Sequence, residues 1–168
     1  MMGGLRYLYL LNVTVHVTAA VLWLGGMFFL ALVGAPVLRK LETPALRASL
    51  FAELGRQFRA LAWIALGLLL VTGTLNLYFR GVLTDVSMGS PHFWRTPFGG
   101  TLALKLILVA LLLVIQALHD FRWGPAVSRS QPGGSTAPLR RRAALAARVN
   151  AVLGLLVLIA AVRLARGG

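Results

Sequence analysis

The chain has 168 residues, of which 58% are hydrophobic and 12% charged, and its formal net charge is +13. A soluble domain is about half apolar and about a quarter charged, so this composition predicts an integral membrane protein. With no cysteine and only four acidic residues, disulfides and thiolate metal sites are excluded and little remains for acid–base hydrolysis.

Four apolar segments are long enough to cross a bilayer core of about 30 Å, which takes about 20 helical residues. They span residues 8–33, 61–79, 101–119 and 143–164. No convincing cleavage site follows the first segment, so we expect it to be retained as a spanning helix. Between the first two segments, residues 39–60 have the composition of an amphipathic cytoplasmic helix. The sequence therefore predicts an all-α integral membrane four-helix bundle that forms one domain, residues 1–168.

Basic residues predict the orientation of these spans. Five lysines and arginines lie in residues 39–60 and six more in residues 122–148, whereas the opposite face collects five arginines. Because cytoplasmic loops are enriched in Lys and Arg, both termini should lie outside, in a bacterial-type plasma membrane. This bias accounts for the net charge, and no nucleic-acid-binding module is visible, so we do not expect nucleic acid as a partner.

Several polar residues lie inside or beside the predicted spans. By this orientation, the outer group comprises His16, Asn76, His92, Lys105 and Arg163. The cytoplasmic group comprises Gln116, His119, Asp120 and Asn150. A polar group without a partner is costly in hydrocarbon, so each of these residues requires a partner or a ligand. We therefore predict two polar sites, one near each face of the membrane.

Helical spacing predicts which way two of the spans turn. Intervals of four, seven and four residues separate Asn12, His16, Trp23 and Met27 on the first span. A comparable stripe on the third span contains Lys105, Val109, Leu112, Gln116 and His119. Ionisable side chains in spanning helices face the bundle interior or an aqueous cavity, so we expect both stripes to face the centre of the bundle.

Four pieces of sequence in a fixed order carry a resemblance to a known family. They are H-x6-W-x-G-G from His16 to Gly26, then GRQFRALAWIALGLLLVTGTLN, then TPFGGTLALKLILVALLLVIQALHDFRWGP, and finally a basic loop with an apolar helix. In this order they resemble the CopD family of bacterial copper-resistance membrane proteins. The His and Trp of the first span, with Lys105 and His119 of the third, also resemble HemJ-type protoporphyrinogen oxidases, which are associated with haem b.

Two cofactors fit these residues. A helical bundle can bind haem b through neutral imidazole nitrogens, and the candidate haem contacts are His16, Trp23, Asn76, Lys105, His119 and Arg163. Imidazole and thioether groups also suit a copper ion, and the candidate copper ligands are His16, Met88, His92 and His119. Several of these residues have a structural alternative: packing for His16 and Trp23, a helix end for His119, and a solvated turn for Met88 and His92.

Lys105 calls for an anionic partner, because burial disfavours a charged ammonium. Asp85 is the one acidic residue that the predicted orientation places on the same side. A haem propionate or an anionic substrate is the alternative, and Lys105 could also extend its ammonium to the lipid headgroups.

The sequence favours a redox metal centre, with haem b first, for electron transfer or a membrane oxidoreductase reaction. The competing function is copper uptake or copper-resistance transport through His and Met ligands, and a third is a structural subunit without a metal. Besides the lipid bilayer, the candidate partners are a quinol and a periplasmic redox or copper protein, and a homodimer is allowed.

Overall fold

The computed structural model describes residues 2–84, 88–123 and 137–168, and these residues form helices and turns without a β-strand. The α-helices are α1 (Met2–Phe29), α2 (Ala35–Arg39), α3 (Pro44–Phe79), α4 (Pro91–Arg95), α5 (Pro97–Ala117) and α6 (Ala137–Ala165). Two π-helical turns continue α1 and α5, at Leu30–Gly34 and Leu118–Trp123.

Among the described residues, four helical stretches are long and apolar enough to cross a membrane. They are Gly4–Arg39, Pro44–Phe79, Pro97–Trp123 and Arg141–Ala165. Each contains one predicted span and extends beyond it. The structure therefore confirms an all-α membrane fold with four spanning helices, whereas the orientation with both termini outside stays a prediction.

The chain divides into two compact units, Met1–Gly89 and Ser90–Gly168. In the first unit, α1 and α3 pack antiparallel to each other: Asn12 meets Asn76, and Gly26 meets Phe58. In the second unit, α5 packs on α6 in the same antiparallel way. Each unit is therefore a helical hairpin, and the single membrane domain expected for residues 1–168 stays a prediction.

The π-helical turn after α1 is explained by a proline. Pro36 has no backbone N–H, and in a regular helix its ring would collide with the carbonyl of Leu32, four residues earlier. The backbone widens by one residue before the proline, and the N–H of Ala35 bonds to the carbonyl of Leu30. The first span thus continues through Pro36 to Arg39.

The amphipathic segment at residues 39–60 differs from the prediction of a separate helix. Most of it forms the first part of α3, which runs unbroken for 36 residues from its N-cap Thr43. The change from polar to apolar side chains does not interrupt backbone bonding, and α3 contains no proline after Pro44. At a rise of about 1.5 Å per residue, α3 is about 54 Å long, so it extends well beyond a bilayer core of about 30 Å.

The end of α3 is set by a glycine. Gly81 has φ 67°, a conformation that side chains with a Cβ rarely adopt. Its N–H bonds to the carbonyl of Tyr78, and the N–H of Val82 bonds to that of Leu77. These two bonds form a Schellman motif, which satisfies the last carbonyls of the helix.

The predicted stripe on α1 is the side that packs on α3. Asn12, Ala19 and Trp23 are buried on α1, and the small residues Ala62 and Ala65 are buried on α3. Within a membrane the hydrophobic effect does not drive helices together, and small residues allow them to approach closely enough to pack. On α5, the predicted stripe likewise contains the buried Leu112 and Gln116.

A glycine also determines how α4 meets α5. Thr96 caps α5: its hydroxyl accepts a hydrogen bond from the Gly99 N–H at 3.0 Å and donates to the Phe93 carbonyl at 2.7 Å. The last turn of α4 therefore lies directly on Gly99, where a Cβ would collide with the backbone of Phe93. A carbonyl fixed by the cap cannot move away easily.

We expect Gly99→Ala to destabilise the protein by about 1–3 kcal/mol, the usual cost of overpacking. Gly100→Ala is the matched control, because its added Cβ would be 3.8 Å from the Trp94 carbonyl, an ordinary contact. Unfolding in mixed detergent and SDS micelles measures both. Equal stability of the two variants would show that the α4–α5 contact is not constrained by Gly99.

Candidate functional site

His16 lies against α3 in the first hairpin. Its Nδ1 atom is 2.7 Å from Oγ1 of Thr72. The Thr72 hydroxyl donates its own proton to the Leu68 carbonyl at 2.5 Å, one turn earlier in α3. Thr72 is buried and His16 is half-buried, so this hydrogen-bonded pair connects the two helices of the hairpin.

These two bonds favour one tautomer of the neutral imidazole. A hydroxyl has one proton, and that of Thr72 is used by Leu68. Nδ1 of His16 must therefore be the donor to Thr72, and in the neutral ring the lone pair lies on Nε2. Metal-binding histidines in proteins are typically oriented in this way, with the second ring nitrogen donating to a nearby acceptor.

Two asparagines surround this pair. The Nδ2 amide of Asn12 donates to the Thr72 carbonyl at 3.0 Å and to Oδ1 of Asn76 at 2.9 Å. Beside them, Gly73 borders the imidazole: a Cβ there would be 3.5 Å from Cε1 of His16. We call His16, Thr72, Asn12 and Asn76 the first polar network, and it contains two of the predicted contact residues.

A second polar network lies in the second hairpin. Asn150 on α6 donates to Oε1 of Gln116 at 2.6 Å, and Gln116 donates to Oδ2 of Asp120 at 2.6 Å. His119 completes it, with Nδ1 2.8 Å from Oδ1 of Asp120. The carboxylate is 5% exposed and Asn150 2%, whereas the His119 side chain is 32% exposed.

The second network confirms that the four polar residues grouped by sequence come together. The buried carboxylate of Asp120 is stabilised by two donors, which offset the cost of removing it from water. A carboxylate on Nδ1 orients the ring of His119 as it does in many metal sites, but the same contacts describe a structural pair across a helix end. A role of His119 as a ligand stays a prediction.

The remaining predicted site residues have varied surroundings. Trp23 is 4% exposed on α1, and within the described residues its Nε1 atom has no hydrogen-bond partner. Met88 and Lys105 are half-buried, whereas His92 on α4 and Arg163 on α6 are exposed. Asp85, the expected partner of Lys105, lies outside the described residues.

The structure shows no preformed cluster of metal ligands in the part of the chain that it describes, where no three His, Asp or Glu side chains could hold one ion together. Neither a haem contact nor a copper ligand is thereby assigned, and the sites named from sequence stay predictions.

Thr72 is the residue of the first polar network that sequence reasoning missed. Its signal was present, because it directly precedes Gly73 in the segment that carries the family resemblance. The pairing with His16 depends on how α1 and α3 align, and helical periodicity within one span does not define that alignment.

Fold and site together define a multi-pass, all-α membrane protein with a histidine in a polar network of each hairpin. The family model of copper resistance protein D, CopD, matches residues 52–164. This is more than half of the chain, and the chain belongs to the CopD family. The match includes Thr72 and His119 but begins after His16.

One relative extends the comparison. An uncharacterized protein of Aquifex aeolicus (strain VF5) is 33% identical over 106 residues, which are 62% of this chain and 63% of that protein. The alignment therefore spans less than two thirds of the relative. No solved structure matches significantly, and the resemblance to HemJ-type oxidases receives no support from these comparisons.

We expect Thr72→Val to destabilise the first hairpin by about 1 kcal/mol, because Nδ1 of His16 loses its acceptor inside the membrane. Thr74→Val is the matched control on the same helix. Thr74 is exposed, and its hydroxyl donates to the Leu70 carbonyl within α3. That control should stay within about 0.5 kcal/mol of the parent. SDS-induced unfolding compares the two, and equal losses would contradict a specific role of the His16–Thr72 bond.

Proposed function

We propose that this CopD-family protein transports copper ions across the membrane, and that His16 is a ligand of the ion on its path. The observation that carries the proposal is the bond from Nδ1 of His16 to Thr72, which leaves the lone pair on Nε2. The family description supports copper as the cargo.

The donor chemistry of the chain agrees with copper. Imidazole binds copper in both oxidation states, and thioether sulfur is a soft donor that favours Cu(I). The sequence has no cysteine and four methionines, so its soft donors are thioethers. Met88 and His92 lie in the segment between α3 and α5, and we propose them as further donors that receive or release the ion.

The surrounding residues support His16 as the principal ligand. A ring nitrogen that donates to a fixed acceptor gives a defined ring orientation and a more basic second nitrogen. Thr72 is fixed in turn by its bond to the Leu68 carbonyl. The Asn12 amide ties the same turn of α3 to α1 through the Thr72 carbonyl. The ligand is thus held by two helices before any ion arrives.

Haem b is the alternative that an experiment must separate from copper, because axial ligation of haem uses the same imidazole lone pair. In that case Lys105 and Arg163 would be the proposed partners of the propionates, with Trp23 and Asn76 as further contacts, and the protein would be an electron-transfer protein or a haem oxidoreductase. The family description names copper, and for that reason we place transport first.

The test uses the purified full chain, first in detergent and then in liposomes. We expect a preparation without a Soret band that binds Cu(I), and liposomes that take up Cu(I) faster than empty ones. His16→Ala should lower the affinity for Cu(I) at least tenfold and slow the uptake. Thr72→Val should lower the affinity for Cu(I) by about tenfold or less, because Thr72 orients the ligand and does not bind the ion itself.

Thr14→Val is the matched control for the His16 variant. Thr14 lies on the exposed side of α1 and its hydroxyl bonds to the Leu10 carbonyl, so copper binding should be unchanged. A Soret band that disappears in His16→Ala would establish haem instead of copper. Unchanged copper affinity and uptake in His16→Ala would remove His16 from the path.

A further inference from the structure

We propose that the second hairpin binds an anionic phospholipid in a groove at its basic end. The groove has a volume of about 190 Å³ and is open to the surroundings of the hairpin. Its lining residues, which we call the basic groove, are Ile115, Trp123, Arg142, Leu145, Ala146 and Val149. This proposal is independent of copper and of the first hairpin.

Two local features of the backbone build the basic groove. On α6, Arg142, Leu145 and Val149 are three and four residues apart, so they form one stripe on a single helix face. On the opposite side, the π-helical turn Leu118–Trp123 adds a residue to the helix after Ile115. Trp123 therefore lies almost directly below Ile115, where the seventh residue would lie in a regular α-helix.

The chemistry of the lining matches the two parts of a phospholipid. Five of the six side chains are apolar or aromatic, which suits an acyl chain, and Arg142 is the charged one. A guanidinium binds phosphate through paired, charge-assisted hydrogen bonds. An indole next to it is typical of the interface between headgroups and acyl chains.

Charge indicates which phospholipid the basic groove prefers. Arg122 directly precedes Trp123 of the groove, Arg148 follows Arg142 by six residues on α6, and both arginines are exposed. The nearby carboxylate of Asp120 is buried and bonded to His119 and Gln116. Basic pockets between spanning helices attract anionic headgroups, each nearby Lys or Arg adding to the attraction. A lipid with net negative charge should therefore bind more strongly than a zwitterionic one.

Trp123 provides a direct readout of the bound lipid, because bromine on an acyl chain quenches indole fluorescence on contact. The experiment places the full chain in vesicles of phosphatidylcholine that contain either brominated phosphatidylglycerol or brominated phosphatidylcholine. The difference between the parent protein and Trp123→Phe isolates the signal of Trp123 from the other three tryptophans.

We expect brominated phosphatidylglycerol to quench Trp123 at a several-fold lower mole fraction than brominated phosphatidylcholine. Arg142→Gln should abolish this preference, and Arg142→Lys should retain part of it, since the charge remains while the paired geometry is lost. Arg141→Gln is the matched control, with the same charge change one residue away at a side chain that does not line the groove. Arg141→Gln should keep the preference for phosphatidylglycerol. In the parent protein, high salt should weaken that preference.

Three outcomes would overturn the proposal. Equal quenching by the two lipids would show ordinary contact with bulk lipid. Equal loss of preference in Arg141→Gln and Arg142→Gln would show a diffuse basic surface. Absence of quenching by either lipid would show that protein, such as a second copy of the chain, covers the groove. If Arg142→Gln does not fold, Arg142→Lys provides the test. A preference for phosphatidylglycerol as strong as that of the parent, with the same salt dependence, would contradict a site that requires the guanidinium.

Discussion

The structure depends on one constraint, that polar groups within a bilayer must find partners in the protein. In the first hairpin this constraint acts through a single proton. The Thr72 hydroxyl gives it to the Leu68 carbonyl, so His16 donates from Nδ1, and a neutral ring then carries its lone pair on Nε2. The same constraint links Asn150, Gln116 and Asp120 in the second hairpin.

The proposed function depends on how these polar groups are held. The bond from Nδ1 to Thr72 fixes the orientation of the His16 ring, so Nε2 points in one direction. The Asn12 amide joins the same turn of α3 to α1. In our proposal, copper transport through His16 uses this preorganised imidazole. The basic groove uses a different property of the same fold, since a widened helical turn there aligns Trp123 with Ile115 beside the arginine-rich start of α6.

Much of the fold could be predicted because hydropathy and helical period report directly on burial in a membrane. The stripe containing His16 and the grouping of Gln116 with Asp120 are examples. The continuity of α3 through residues 44–60 was not predicted, because a change in side-chain polarity resembles a boundary although no proline breaks the backbone. Thr72 was missed because its pairing with His16 arises from the alignment of two helices.

The most direct test of the central claim is the protonation of His16, observed by nitrogen NMR on protein labelled with ¹⁵N-histidine, with His16→Gln to assign its signals. The neutral tautomer protonated at Nδ1 is expected, and addition of Cu(I) should shift the Nε2 resonance while Nδ1 keeps its proton. A ring protonated at Nε2 would contradict the account, and so would Cu(I) that shifts the other histidines and leaves His16 unchanged.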